Sequence, residues 1–348
     1  MMIETDNAPI LIWGAGAIGG TIGAYLARTG LPVLMVDLVS DHVDTMNENG
    51  LSIRGPVNEF TTPIIATTPS ALKGQFHKVL LCVKGQDTVA ATQALKPHLA
   101  EDGYVASVQN GLNEETIAGI VGSERTIGAF INFGADYHGP GNILFGARST
   151  VVVGELDGRL TPRIMNLRGN LRHFEPNAIA SANIWGFLWS KLAYCSLLWA
   201  NAVIDAELND MFGSQKYRAM LTELTREVIR IAEKQNITLE GFDPFDPSGF
   251  TQDADQAAAD SVFESICEHR RESAKKHSGM WRDIAVRKRK SELDTLLLPV
   301  LATGKKIGAD MPLNTLLAEL IRDLELGQRR QSWENFDLLQ SRMTGTTV

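Results

Sequence analysis

The stretch "ILIWGAGAIGG", Ile10 to Gly20, joins an apolar run to three spaced glycines, Gly14, Gly16 and Gly19, and leads into helix-forming residues. A short continuous apolar run bounded by turn residues reads as a strand buried on both faces. In a strand–turn–helix unit the first glycine permits the tight turn and the second lets a pyrophosphate approach the backbone. The third lets the helix pack on the strand. Backbone N–H groups at Ala17 and Ile18, at the positive end of the helix dipole, then face the phosphates. The bland alternative is a glycine-rich turn. A second strand, "VLMVD", ending in Asp37, favours dinucleotide binding over that alternative.

Asp37 bears on which dinucleotide. A carboxylate at the tip of the second strand accepts hydrogen bonds from both ribose hydroxyls and repels the extra phosphate of NADP. No arginine or lysine follows in "VDLVSDHVD" to pair with that phosphate. NAD is therefore the expected cofactor.

Working outward, "KVLLCV" and "YVASV" are further buried strands. Between strands lie expected helices over 17–28, 41–49, 88–98 and 114–121. Strands alternating with helices imply a parallel sheet covered on both faces. "TIGAFINF", "NILF" and "STVVVGE" are expected to extend it, with antiparallel strands near one edge. Beyond about Ser181 long helical stretches take over, expected over 184–206, 214–235, 254–274 and 280–303. "FDPFDPSGF" interrupts them as a loop. The expected architecture is an α/β Rossmann-type N-terminal domain, residues 1–183, followed by an all-α C-terminal domain, residues 184–348.

Composition excludes several classes. The 348 residues carry a net charge of −8, with 44% hydrophobic and 21% charged residues. An acidic chain of this kind is not expected to bind nucleic acid, and no apolar run approaches a membrane span. The basic run from His269 to Lys290 reads as a solvated helical face. Three dispersed cysteines fit a reducing compartment, and the N-terminus lacks the pattern of an export signal, so the cytoplasm is expected. Seven histidines show no metal-ligand spacing, so the expected chemistry uses no metal.

One lysine stands out. Lys191 lies within "GFLWSKLAYCSLLWAN" among aromatic and aliphatic residues, where an ammonium needs a partner or a purpose. A snorkelling lysine whose amine reaches solvent is the alternative.

In order and spacing, the GxGxxG turn, "CVKGQDT", "SVQNGLNEE", "LWSKLAYC" and "HSGMWRDIAVRKRKSELD" resemble the ketopantoate reductase family over nearly the whole chain. The resemblance implies an NAD(P)H-dependent reductase of a 2-keto acid, with ketopantoate as the default substrate, NADP as the alternative cofactor and the site in a cleft between domains. Lys84 and Asn110, each following a strand, correspond to residues beside the nicotinamide and substrate. Lys191 corresponds to the proton donor, a role that suits an ammonium, and apolar surroundings make it readier to release its proton. Glu292 corresponds to the carboxylate that orients the lysine, although its spacing from Asp283 is one residue longer than the family pattern. Ser278, or Gly279 beside it, stands in the place of the substrate-binding serine, and Asn209 in that of a later asparagine. Where the family carries asparagines four and eight residues after the lysine, this chain has Cys195 and Trp199.

Those two departures point to a second activity of the same fold, a D-2-hydroxyacid dehydrogenase acting on a bulkier or more apolar acid. A dinucleotide-sensing protein without catalysis is the alternative from another class. The partners expected are the 2-keto acid and, as a homodimer, a second copy of the chain.

Overall fold

The computed structural model describes residues 8–271 and 276–345. The chain divides into two compact units, Met1–Ile184 and Trp185–Val348. In the first, the elements in order are β1 (Ile10–Trp13), α1 (Ala17–Arg28), β2 (Val33–Val36), α2 (Ser40–Asn49), β3 (Leu51–Arg54), β4 (Phe60–Thr62) and β5 (Ile65–Thr67). They continue with β6 (Phe76–Leu81), α3 (Thr88–Leu95), β7 (Leu99–Ser107), α4 (Glu114–Val121), β8 (Thr126–Ile131) and β9 (Gly134–Tyr137). The last are β10 (Asn142–Ala147), β11 (Val151–Glu155), α5 (Pro162–Leu171) and β12 (Ile179–Ala180).

An eight-stranded sheet runs β12-β11-β8-β7-β6-β1-β2-β5. Its strands from β8 to β5 are parallel, while β11 pairs antiparallel with β8. Alternation along β1 sends Ile10 and Ile12 to one core and Leu11 and Trp13 to the other, so both faces of the strand are buried. Helix α1 approaches the sheets closely because its inner face is glycine. A Cβ at Gly20 would come within 2.3 Å of Ile143 Cδ1, and one at Gly23 within 2.3 Å of Met35 Cε.

One expectation fails here. "NILF" does not extend the main sheet: β10 belongs to a separate four-stranded sheet, ordered β4-β3-β10-β9. Its parallel partner is β3, with Asn142 opposite Ser52. Strands β3, β4, β5, β9 and β12, of two to four residues, lack the run of four apolar residues that marks the equally short β1 and β2.

The second unit is helical: α6 (Ile184–Asn201), α7 (Leu208–Gly213), α8 (Arg218–Lys234), α9 (Gln256–His269), α10 (Gly279–Ala285), α11 (Leu297–Lys306), α12 (Pro312–Glu325) and α13 (Glu334–Thr344). Caps set several starts. Asp255 accepts from Ala258 N, and Ser278 accepts from Trp281 N. The Glu227 carboxylate on α8 accepts from Leu313 N and Asn314 N at 2.8 Å each, satisfying the first turn of α12 from outside.

The helices are shorter than the sequence suggests. The chain leaves α6 at Asn201, not 206, and the end expected for the third helix, 272–274, lies outside the described residues. The largest correction concerns 280–303, which is two helices separated by turns. The buried Asp283 carboxylate accepts from Arg287 at 2.7 Å and Arg289 at 3.0 Å, and Lys288 between them takes a left-handed φ of 51°. The two guanidinium groups gather on this one carboxylate where the backbone has left the helix.

Candidate functional site

The first unit gathers its candidates through strand order. Strands β7, β6, β1 and β2 are parallel neighbours, so the loops that follow them emerge at one edge of the sheet. Asn110 follows β7, Lys84 follows β6, the glycine loop follows β1 and Asp37 follows β2. The chain steps from β1 outward in opposite directions to β2 and to β6, which makes β1 a switch point where α/β sheets take ligands.

The three glycines differ in their local geometry. Gly14 has a φ of 98°, a turn conformation that side chains disfavour. Around Gly16 there is open space, with nothing within 4 Å of where a Cβ would sit. At Gly19 a Cβ would lie 2.1 Å from the Gly14 carbonyl oxygen and 2.8 Å from Cys82 Cβ, so close packing requires glycine there. Ala17 and Ile18 open α1 behind Gly16. A phosphate approaching the open side of Gly16 meets the start of a twelve-residue helix, so these residues fit a dinucleotide.

Asp37 braces this loop. Its Oδ2 accepts from Ala15 N at 2.9 Å and its Oδ1 from Val39 N at 3.0 Å. Each carboxylate oxygen keeps a second lone pair for a ribose hydroxyl. The two residues that follow are apolar yet exposed, Leu38 at 80% and Val39 at 51%.

Lys84 and Asn110 are exposed at their strand ends. Beneath them lies a polar relay that the sequence did not single out. Gln109 Nε2 donates to Val83 O at 2.9 Å and to Thr88 Oγ1 at 2.8 Å. Thr88 donates to Asn113 Oδ1 at 3.1 Å, and Asn113 Nδ2 donates to Asn110 O at 2.8 Å. The loops bearing Lys84 and Asn110 are thus tied together from below. Gln109, Thr88 and Asn113 stand inside the motifs already noted, but only their burial reveals the role. Next in the chain, Glu114 is fully buried, and no hydrogen bond of good geometry reaches either carboxylate oxygen. Burial pushes its carboxyl up to about 7, against the opposing pull of nearby backbone N–H groups and the Ser107 hydroxyl.

In the second unit, Lys191 is half-buried on α6. Leu188, Trp189, Ser190, Leu192, Ala193 and Tyr194 around it are buried, while Cys195 and Leu198 share its partial exposure. Trp199 is buried, at 2% exposure. Helix geometry accounts for the difference. Seven residues return a side chain to within about 20° of its starting direction, whereas eight overshoot by about 80°. The stripe that continues from Lys191 is therefore Cys195 and Leu198, a seventh-position residue that the four-and-eight spacing passes over.

The end of α6 makes a polar corner. Buried Asn201 accepts from Ser278 N at 3.0 Å and donates to Ala206 O at 2.9 Å. Ser278 is itself 3% exposed and caps α10. Asn209, half-buried in the first turn of α7, follows Leu208, whose N–H donates to Lys276 O at 2.9 Å. Asn201 had given no signal beyond being one more polar residue at a helix end. Glu292, half-buried, lies in the turn before α11, where its carbonyl accepts from Leu296 N at 3.0 Å. Among the described residues no group of histidine, cysteine, aspartate and glutamate could hold a metal ion, and no helix is long and apolar enough to cross a membrane.

The sequence model of the family "Ketopantoate reductase PanE/ApbA" matches residues 10–158, and that of its C-terminal part matches residues 183–325. A 2-dehydropantoate 2-reductase of Pyrococcus abyssi is 26% identical over 318 residues, covering 91% of this chain and 97% of the relative. Among solved structures, a PanE/ApbA family ketopantoate reductase from Ralstonia eutropha JMP134 superposes with a TM-score of 0.75 at 25% identity, covering 92% of this chain and 99% of the other. A D-mandelate dehydrogenase in complex with NADH and anilino(oxo)acetate superposes with a TM-score of 0.78 at 21% identity, covering 92% and 98%.

Proposed function

The chain belongs to the ketopantoate reductase family, and from that premise we propose that it reduces a 2-keto acid to the 2-hydroxy acid, ketopantoate to pantoate being the default, with NADH as the preferred reductant. The observation that carries this reading is the convergence of Gly14–Gly19, Asp37, Lys84 and Asn110 at one edge of four neighbouring parallel strands.

When bound, the nicotinamide supplies a hydride to the keto carbon. The chain supplies the rest. The N-terminal turn of α1 and the open side of Gly16 hold the pyrophosphate, and Asp37 accepts from the ribose hydroxyls. Lys84 and Asn110, on loops locked by the Gln109–Thr88–Asn113 relay, hold the nicotinamide end and the acid. The Lys191 ammonium donates its proton to the carbonyl oxygen as negative charge gathers there, and Glu292 orients that ammonium. Ser278 and Asn209 offer polar contacts to the acid.

NADH is the expected preference because the second strand ends in a carboxylate followed by Leu38 and Val39, with no arginine or lysine among the residues that follow to Asp44. The test is turnover with NADH and NADPH over a panel of 2-keto acids. We expect a lower KM for NADH and a narrower gap in Asp37→Ala. Better use of NADPH by the unaltered protein would remove Asp37 from the ribose pocket. No reduction of any acid would leave the dinucleotide-sensing reading.

A second reading, a dehydrogenase of a bulkier or more apolar acid, is favoured by the partly exposed stripe of Lys191, Cys195 and Leu198. Cys195 and Leu198 offer ketopantoate's hydroxyl a poorer partner than asparagines would, which lowers discrimination in its favour. Cys195→Asn with Leu198→Asn should then shift kcat/KM toward ketopantoate. A ranking of acids unmoved by both substitutions rules the stripe out as the determinant. Trp199 is unsuitable for that test, since an asparagine at so buried a position costs stability on its own.

A further inference from the structure

Inside the first unit a histidine holds the carbonyl of Ala15, the residue whose N–H Asp37 holds. His42, in the first turn of α2, is 1% exposed, and both its ring nitrogens are engaged with backbone. Nδ1 accepts from Gly141 N at 2.9 Å, so the ring proton sits on Nε2 and is donated to Ala15 O, also at 2.9 Å. Gly141 belongs to the turn between β9 and β10. There its φ is 67°, its carbonyl accepts from Ser52 N at 2.8 Å, and a Cβ would lie 2.6 Å from Thr45 Cγ2. The far anchor is therefore rigid and fastened to the small second sheet.

Ala15 is gripped at both ends, its N–H by Asp37 and its carbonyl by His42. A trans peptide points its C=O and N–H in opposite directions. Fixing the Ala15 carbonyl on His42 therefore turns the Gly16 N–H, in the same peptide, the other way. With open space around Gly16, sterics alone would not stop this peptide from flipping. A flip would replace an N–H donor with a carbonyl oxygen, and a carbonyl repels phosphate. Tyr137 on β9 packs edge-on to the His42 ring, with centroids 5.1 Å apart. Its phenol is held above the usual value by burial and then by Asp37 and Asp41, which places this hairpin beside the Asp37 end of the loop.

We infer that His42 is a positioning residue for the dinucleotide: it ties the Ala15 carbonyl to the Gly141 turn, so the second sheet dictates which way the Ala15–Gly16 peptide faces. The inference rests on the proposal that the Gly14–Gly19 loop takes the cofactor.

The test measures NADH dissociation constants by titration calorimetry for the unaltered protein and for His42→Leu, His42→Asn and His42→Gln, with thermal melts alongside. An asparagine amide reaches the Nδ1 position and a glutamine amide the Nε2 position, so only glutamine can restore a donor to Ala15. We expect His42→Leu and His42→Asn to weaken NADH by roughly three- to tenfold, the scale of one backbone hydrogen bond, and His42→Gln to recover most of it. In turnover the loss should fall on KM for NADH rather than on kcat. If His42→Leu does not fold, the glutamine–asparagine contrast decides. Equal affinities across folded variants, or no advantage of glutamine over asparagine, overturn the inference while leaving cofactor binding intact. Failure of the unaltered protein to bind NADH or NADPH overturns both.

Discussion

The nucleotide edge of the first unit and the α6 region of the second solve the problem of positioning polar groups in opposite ways. At the edge, the groups proposed to work are mostly backbone N–H groups, in a loop whose Ala15 N–H is held by Asp37 and whose Ala15 carbonyl is held by His42. On α6, α7 and the turns around α10 and α11, the groups proposed to work are side chains: Lys191, Asn209, Ser278 and Glu292. A backbone site is damaged by adding atoms where none fit, whereas a side-chain site is damaged by removing them. The two regions should therefore respond to different substitutions, with losses of different size.

The largest effect is expected where a side chain performs chemistry. General acid catalysis contributes about 10²–10⁴-fold, so Lys191→Ala should lower kcat by that factor, while calorimetry still shows NADH bound to a folded protein. A rate near that of the unaltered protein would break the comparison, because the acid would then sit at the nucleotide edge, with Lys84 the first candidate.

Next come two glycines of one loop. Gly19→Ala forces a Cβ against the Gly14 carbonyl and Cys82, an overpacking that should cost about 1–3 kcal/mol in denaturant melts and weaken NADH as well. Gly16→Ala should melt almost normally, since its φ of −66° suits alanine and nothing lies within 4 Å. It should nonetheless lose NADH affinity, because the methyl occupies the side a phosphate approaches. Equal stability losses in both variants would show that the loop is only a packing device.

The effect confined to pH dependence concerns Glu114. Its carboxyl is raised by burial from an ordinary 4.5 to about 7, so the folded state keeps a proton that the unfolded state gives up. The resulting stability is complete below about pH 4.5 and is lost as pH rises through 7. Stability of the unaltered protein should fall by about 2–3 kcal/mol from pH 5 to pH 8 relative to Glu114→Gln, which has no such proton to lose. Parallel melting curves across that range would mean that Glu114 is solvated in the folded state.

The sequence alone carried the nucleotide edge because turn chemistry is local. Gly14, Gly16 and Gly19 act through their own φ and their missing Cβ atoms, and a strand ending in Asp37 is visible as a run of letters. Expected limits at 17–28 and 114–121 coincide with α1 and α4, because glycines punctuate both. Other features depended on distant partners. The second sheet pairs β3 with β10, some ninety residues apart, and His42 gains its place only when Gly141 arrives. Asp283 gathers Arg287 and Arg289 around the left-handed Lys288, and Trp199 is buried where Leu198 stays partly exposed, both visible only once the chain has folded. Local backbone preference is written residue by residue, whereas the face a side chain presents and the partner a buried polar atom finds exist only once the chain has closed on itself.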